Sequence, residues 1–253
     1  MRTALMSVII KTEEEIAIMR EAGRITAEVL RILASRVKPG METRELDFIA
    51  EQECQKRGAT PSFKGYHGFP ASACISLNDE IVHGIPGKRV LKDGDIVKID
   101  FGVIYNGLQG DAALSIGVGK ISPAAQRLME ATEGALWAGI SAARVGNRLG
   151  DISAAIDDHA EARGFTVVRE YTGHAIGRAM HEDPLVPNFG IPGTGPALKK
   201  GMTLALEPML NIGDWRTRRL DDEWTVATAD GSLSAHFEHT IAVTDGEAEV
   251  LTR

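Results

Sequence analysis

The chain has 253 residues, of which 43% are hydrophobic and 25% are charged, proportions that are ordinary for a globular protein in water. Its formal net charge of -7, with no long basic run, argues against an electrostatic surface for nucleic acid. Its two cysteines do not make a disulfide framework, and no stretch approaches the roughly 18 apolar residues of a membrane span. We therefore expect a cytoplasmic protein with one substantial hydrophobic core.

The first ten residues contain one arginine and a mostly apolar run. No small-residue cleavage site follows that run, so we expect no secretory signal. The sequence leaves open whether translation begins at Met1 or at Met6.

Two helices are predicted near the start of the chain. Thr12 followed by Glu15 forms a capping box, and apolar residues at helical spacing continue to about Val37. A second helix is predicted from Thr43, as its N-cap, to about Arg57. Short strands separated by turns follow it.

The pair Asn106-Gly107 predicts a type I′ hairpin between two strand-like runs. In that register Gly102 lies opposite Asp111, so Asp100 and Asp111 share a face as diagonal neighbours about 7–8 Å apart at the backbone. Two carboxylates so placed could converge on a metal ion. Alternatively, Asp100 pairs with Lys98 on the same face, and Asp111 is simply exposed.

The later part of the chain repeats the pattern of the first. Ser122-Pro123 predicts a helix start, with serine as N-cap and proline at the first helical position. Asp100 lies six residues after a glycine that precedes its strand, and Glu207 lies six residues after another. We predict one domain over residues 1–253, built from pseudo-symmetric halves of about 12–120 and 121–251. Each half would deliver an acid to a shared centre.

Five side chains capable of binding metal stand out: Asp100, Asp111, His174, Glu207 and Glu238. All but the last lie in or beside runs that otherwise resemble buried strand. Acids are depleted in strands, and an ionised carboxylate in an apolar interior is costly unless it is paired or binds a metal. His174 lies between Gly173 and Gly177, and a single histidine in such a segment is more often a structural hydrogen-bonding group than a ligand. Together, four carboxylates and one imidazole could hold two divalent cations, which indicates a hydrolase site.

Seven short strings carry a resemblance to the type I methionine aminopeptidases of peptidase family M24. They are Cys74-Ile75-Ser76-Leu77-Asn78, His83-Gly84-Ile85-Pro86, Leu91-Lys92-Asp93-Gly94-Asp95, Gly173-His174-Ala175-Ile176-Gly177-Arg178, Gly201-Met202-Thr203, Glu207-Pro208-Met209 and Phe237-Glu238-His239-Thr240. The resemblance extends from about Thr12 to Leu251. It implies an α+β pita-bread (creatinase/aminopeptidase-like) fold, which is pseudo-twofold, with a curved antiparallel sheet and helices on its outer face.

The resemblance also implies the metal centre. Asp100 would chelate one metal ion, His174 and Glu207 would bind the other, and Asp111 and Glu238 would bridge both. The cofactors would be two divalent ions, for which Co, Mn, Fe and Zn all remain open.

The implied reaction is removal of the N-terminal methionine by attack of a metal-bridging hydroxide on the first peptide bond. Glu207 would accept the proton and later donate it to the leaving amine. His181 would stabilise the oxyanion, and His83 would contact the scissile amide nitrogen, so both would bind substrate. The free α-amine of the peptide would ligate a metal, which explains an exopeptidase.

The resemblance suggests an apolar slot for the methionine side chain, lined by Tyr66, Phe69, Cys74 and Trp224. Tyr66 and Phe69 could equally be ordinary core aromatics.

Four positions depart from the pattern of the family: Phe63, Ala112, Ala175 and Met180. Phe63 is larger than the residue usual at that position of the pocket rim, and Met180 stands where an aromatic residue is common. Ala175 lies beside the histidine ligand, and Ala112 would lack a hydrogen bond to the site. These departures leave the ligands intact and put rate and side-chain preference in doubt.

Two other functions remain open: a related M24 aminopeptidase of X-Pro specificity, and a pita-bread binding protein that has lost catalysis. The expected partners are the N-termini of nascent polypeptides. We expect a monomer without nucleic-acid or membrane partners, and transient association with the ribosome is left open.

Overall fold

The computed structural model describes residues 8–253, so Met6, the alternative start, lies outside the described residues. The helices of this part are α1 (Glu13–Arg36), α2 (Thr43–Lys56), α3 (Pro123–Ala142) and α4 (Leu149–Glu161), with a short 3-10 turn at Tyr66–Gly68. None of the helices in residues 8–253 is long and apolar enough to cross a membrane.

The strands are short except for one long hairpin. In chain order they are β1 (Thr60–Pro61), β2 (Cys74–Leu77), β3 (Glu80–Val82), β4 (Ile96–Tyr105), β5 (Leu108–Gly117), β6 (Thr166–Val167), β7 (Gly173–Ala175), β8 (Glu182–Val186), β9 (Thr203–Leu206), β10 (Met209–Asn211), β11 (Thr217–Arg219), β12 (Val226–Thr228), β13 (Ser234–His236), β14 (Glu238–Ala242) and β15 (Glu249–Val250). The main sheet has the order β1-β4-β5-β14-β9-β7-β8, with β2 also paired to β4 and β15 to β14. Two smaller sheets have the orders β13-β10-β6 and β11-β12-β3.

The helix starts follow the predicted capping chemistry with one exception. The Thr12 side chain accepts a hydrogen bond from the Glu15 amide at 3.2 Å, and the Glu15 carboxylate accepts one from the Thr12 amide at 2.9 Å. Ser122 caps α3 as predicted. The prediction of Thr43 as an N-cap is wrong, because its hydroxyl bonds to the backbone of Gly87 instead. Glu42 occupies the cap position.

The predicted Asn106-Gly107 hairpin is confirmed in type of turn and in register. Both turn residues have positive φ, 47° and 80°, as a type I′ turn requires. Gly102 lies opposite Asp111, and Asp100 lies opposite Ala113. The two acids therefore share one face of the main sheet.

Alternation along β4 separates the core from the site. Val97, Ile99 and Phe101 are buried in a cluster with residues of α1 and α2. The residues between them point to the other face, because successive side chains of a strand alternate. This arrangement leaves one face of the sheet free to carry polar chemistry. The division of the chain into two related halves stays a prediction.

Lys98 and Asp111 rule out the alternative interpretation of the acids. Lys98 is 1% exposed, and its ammonium donates to the carbonyl oxygens of Asn78 at 2.7 Å and Ser234 at 3.1 Å. Burial lowers the pKa of Lys98 to about 7. Asp111 is buried rather than exposed. The predicted alternative, in which Lys98 neutralises Asp100 and Asp111 faces solvent, is therefore wrong.

Candidate metal centre and substrate cavity

Three of the predicted donors converge at the middle of the main sheet. Asp111 on β5, His174 on β7 and Glu238 on β14 each offer one ligand atom, and these atoms all lie within 4.8 Å of one another. All three residues are buried. The strand order places β5 beside β14, with β9 between β14 and β7, so donors distant in the sequence meet at one point.

The other two predicted donors line the same cavity. Asp100 lies on β4, diagonal to Asp111 across the hairpin. Glu207 follows the last residue of β9, and its Oε1 lies 3.6 Å from Nε2 of His174. The structure therefore brings all five predicted donors to the wall of one cavity.

The electrostatics of this cluster suit a cation. Burial, followed by the charge of Asp111, raises the pKa of Asp100, Glu207 and Glu238 well above ordinary values. One carboxylate oxygen each of Asp100, Asp111 and Glu238 is buried with no hydrogen-bond partner among the described residues. Like charges at this separation repel, and unpaired buried oxygens are costly. Divalent ions would neutralise the charge and fill the vacant lone pairs, so the residues fit such a group.

His174 has the protonation state expected of a metal ligand. Its Nδ1 lies 3.0 Å from the carbonyl oxygen of Ala175, so Nδ1 carries the proton and donates it there. Burial lowers the pKa of His174 to about 3, which keeps the ring neutral. The lone pair of Nε2 therefore faces Glu207, and the alternative of a purely structural histidine leaves this orientation unexplained.

Two side chains that sequence reasoning missed fix the backbone of the acids. The Thr240 hydroxyl accepts from the amide of Asp111 at 3.0 Å and donates to its carbonyl at 2.8 Å. The Asn188 amide donates to the carbonyl of Glu207 at 3.1 Å. Ala112, the residue after Asp111, packs in the core cluster with residues of α1 and α2, and the loss of a hydrogen bond there stays a prediction.

His181 lies at the exposed mouth of the cavity. Its Nδ1 is 2.8 Å from the hydroxyl of Tyr66, and its ring centroid is 4.3 Å from that of His174. Glu182, the next residue, accepts the backbone N–H groups of Arg178 and Ala179. The turn that carries His181 is thus held by its own neighbour.

His83 lies in an unusual backbone conformation, with φ at 60°. A residue with a Cβ atom rarely adopts this left-handed backbone region, because the conformation is strained. Backbone strain of this kind is concentrated at functional sites. Its ring lies 5.8 Å from that of Tyr171, and burial lowers its pKa to about 4. The imidazole is therefore neutral and faces the same cavity as the acids.

The cavity has a volume of about 250 Å³ and an apolar part beside the acids. Its lining includes the four residues of the predicted slot: Tyr66, Phe69, Cys74 and Trp224. The rings of Phe69 and Trp224 meet edge to face at 5.2 Å between centroids. Phe63 and Met180, two of the departures, also line it, whereas Ala175 packs in the core behind β7.

His236 is a further histidine of the centre that received no role from the sequence. It is 2% exposed, and its Nε2 lies 3.9 Å from Oε2 of Glu207 and 4.0 Å from Oε2 of Glu238. Burial lowers its pKa to about 3. Its position two residues before Glu238 was the available signal, but the orientation of its ring depends on a strand in another sheet.

Comparison with known proteins agrees with this geometry. Residues 17–245 match the model of "Metallopeptidase family M24". The chain is 56% identical to the methionine aminopeptidase of Clostridium perfringens, covering 97% of this chain and 98% of the relative. It is 53% identical to methionine aminopeptidase 1 of Bacillus subtilis, covering 97% and 99%.

A solved structure, methionine aminopeptidase from Rickettsia prowazekii, superposes with a TM-score of 0.96 at 43% identity. The superposition covers 98% of this chain and 100% of the Rickettsia prowazekii chain. The likeness confirms the expected α+β pita-bread fold.

Proposed function

The chain belongs to metallopeptidase family M24, and we propose that it hydrolyses the first peptide bond of polypeptides that begin with methionine. The observation that carries this proposal is the convergence of Asp111, His174 and Glu238 at the wall of an apolar cavity. Together with Asp100 and Glu207, these residues would hold two divalent ions. Bound ions would supply Lewis acidity toward the scissile carbonyl and a water that is acidic near neutral pH.

Glu207 is the group best placed to move the proton. Its carboxylate lies between the imidazoles of His174 and His236, at the acid end of the cavity. Burial, followed by the charge of Asp111, raises its pKa, so its carboxylate is a stronger proton acceptor than that of an ordinary glutamate. We assign it the transfer of that proton to the leaving amine.

His83 and His181 would position and polarise the substrate. The hydroxyl of Tyr66 contacts Nδ1 of His181, which leaves Nε2 as the ring nitrogen that would meet the substrate. There His181 would donate to the carbonyl oxygen as it gains charge. His83, neutral and held in a strained conformation, would contact the scissile amide nitrogen.

The apolar part of the cavity would select methionine. A thioether that contacts aromatic rings gains roughly 0.3–1.5 kcal/mol for each contact, and Tyr66, Phe69 and Trp224 offer such rings. The thiol of Cys74 completes a wall that has no charge of its own, because burial raises its pKa well above the ordinary value. A charged first residue would be desolvated here without a partner.

Peptide hydrolysis with defined metal content tests the proposal. Metal-free protein should release methionine from Met-Ala-Ser only after a divalent ion is added, and a chelator should abolish the release. Leu-Ala-Ser and Ala-Pro-Ser serve as competing substrates. Faster cleavage of the X-Pro peptide would contradict the methionine specificity, and activity that survives complete metal removal would contradict the mechanism.

The cellular setting belongs to the same proposal. Substrates would be the N-termini of nascent polypeptides in the cytoplasm, with two divalent ions of the Co, Mn, Fe or Zn group bound. Elemental analysis of protein purified without added metal would identify the ions and their number.

A further inference from the structure

His236 carries a buried imidazole nitrogen that has no hydrogen-bond partner among the described residues. Its Nε2 is buried and forms no hydrogen bond with any residue in the range 8–253. Proteins rarely leave such an atom unpaired, and each instance calls for a physical reason. His236 is not among the residues that line the cavity, and the proposed reaction gives it no role.

The backbone of His236 is held by hydrogen bonds. A shift of its strand therefore cannot bring the imidazole to a different partner. The Ser115 hydroxyl donates to the carbonyl of His236 at 2.8 Å and accepts its amide at 3.0 Å. On the other edge of β13, His236 pairs with Met209 of β10. Two strands and one side chain therefore hold the Cα of His236 in place.

The acceptors that this ring faces are carboxylates of the metal centre. Oε2 of Glu207 lies 3.9 Å from Nε2, and Oε2 of Glu238 lies 4.0 Å away. Both distances exceed a hydrogen bond by about 1 Å, which a change of carboxylate rotamer can close. On its other side Glu207 meets Nε2 of His174 at 3.6 Å. Glu207 is thus flanked by two imidazoles, one on each oxygen.

The two imidazoles have different surroundings. His174 gives its Nδ1 proton to a backbone carbonyl and presents a lone pair, as a ligand does. His236 approaches the oxygen of Glu207 that faces away from His174. A carboxylate that binds an ion with one oxygen keeps lone pairs on the other, and outer hydrogen-bond donors commonly orient it through those lone pairs.

We propose that His236 is a positioning residue, which donates from Nε2–H to the Glu207 carboxylate and holds it in the orientation that binds metal. The proposal rests on the metal-dependent function proposed above. It makes a definite distinction: His236 acts through its N–H on a ligand, and it does not contribute a nitrogen lone pair to an ion.

The test compares two substitutions of His236 for Mn²⁺ affinity, measured by titration calorimetry on metal-free protein. His236→Leu keeps the volume and removes the donor, and we expect affinity to fall about 10–100-fold. His236→Gln retains an N–H donor at similar reach and should recover most of that loss. Thermal unfolding of the metal-free proteins checks that each variant folds. His236→Asn, whose shorter amide does not reach Glu207, replaces His236→Leu if the latter does not fold.

His239→Gln is the matched control. His239 is also a largely buried histidine, but it points to the opposite face of β14, where Nδ1 contacts the Thr252 hydroxyl at 2.9 Å. Its substitution should leave Mn²⁺ affinity unchanged.

The absorption spectrum of the Co²⁺-loaded proteins provides a readout independent of activity. If His236 acts through its N–H, His236→Gln should keep the ligand-field bands of the parent protein. A glutamine variant as weak as the leucine variant, with shifted bands, would overturn the proposal and make His236 a ligand. Unchanged affinity in both variants would overturn it as well. A parent protein that binds no metal would instead refute the proposed function, so the two failures are distinguishable.

Discussion

Lys11 and Glu182 form an ion pair in the interior, with side chains 0% and 4% exposed. The pair joins the segment before α1 to the first residue of β8. The other oxygen of Glu182 accepts the amides of Arg178 and Ala179 at 2.8 and 3.2 Å. Since His181 directly precedes Glu182, this pair fixes the turn that presents His181 to the cavity.

Removal of the Lys11 ammonium should lower both stability and catalytic rate. Lys11→Met leaves a buried carboxylate without its cation, and removing one partner of such a pair costs about 3–5 kcal/mol. Loosening the His181 turn should also lower kcat about 10–100-fold, because small misplacements of a catalytic group are costly. Urea unfolding and steady-state hydrolysis of Met-Ala-Ser measure both effects. Arg20→Met, which breaks the exposed pair with Glu249, should cost only about 0–1 kcal/mol and leave kcat unchanged.

Glu207→Gln tests the proton transfer. The amide has nearly the same shape but accepts no proton at neutral pH, so kcat should fall about 10²–10⁴-fold. The metal-free variant should be at least as stable as the parent protein, because a neutral amide is buried beside Asp111 at a lower cost than a carboxyl group that can ionise. Steady-state kinetics and thermal unfolding provide the two measurements. Full activity in this variant would refute the role assigned to Glu207.

Metal binding should appear as added stability. An ion that binds only the folded chain stabilises it by about 2.7 kcal/mol at a concentration 100 times its Kd. Asp111→Asn removes a central donor and should abolish most of this gain. Denaturant unfolding with and without Mn²⁺ gives the difference. Asp158→Asn, on the exposed surface of α4, should retain the full gain.

Gly102 leaves space between the carboxylates of the metal centre and the apolar slot proposed for methionine. A Cβ atom there would lie 3.0 Å from Oδ1 of Asp111, 3.1 Å from Cε of Met180 and 3.2 Å from Cε1 of Phe63. Gly102→Ala should therefore push these groups outward and lower kcat/KM for Met-Ala-Ser about 10-fold or more. Gly87→Ala, where an added Cβ meets nothing within 4 Å, is the control and should keep full activity.

Cys54 offers a pH-dependent check of the core. Its side chain is 0% exposed, and burial raises its pKa to about 12. The pKa is raised, so the thiol stays protonated up to that pH and the reactive thiolate is scarce at pH 8.5. Alkylation in native protein should be about 1000-fold slower than in guanidinium, where the ordinary thiol pKa returns. Peptide mapping after timed iodoacetamide treatment measures the rate, and similar rates in both states would contradict the packing.

Local chemistry determined what could be predicted of the fold. The Asn106-Gly107 turn requires two positive φ angles, and few dipeptides tolerate them, so turn and register were both accessible from the sequence. The N-cap of α2 was not accessible, because Thr43 gives its hydroxyl to Gly87, a residue 44 positions away. Partners so distant in sequence leave no local pattern.

The residues of the candidate site were also only partly predictable from the sequence. The acids were conspicuous because charged residues are rare in strand-like runs, and the family resemblance supplied their grouping. His236 and the Lys11–Glu182 pair were missed, because their partners lie on other strands of the folded sheets. The predicted pairing of Lys98 with Asp100 was wrong for the same reason. Its nearest acid in sequence was the expected partner, whereas its ammonium reaches backbone carbonyls from two other segments.

The metal centre combines donors from strands that are far apart in the sequence, and this limits when the centre can form during synthesis. Asp100 is made well before Glu238, which lies 138 residues later in the chain. A chain still emerging from the ribosome cannot complete the centre until its final strands exist. An unfinished copy therefore holds Asp100 and Asp111 before it holds His174, Glu207 and Glu238, and the proposed peptidase activity requires all five.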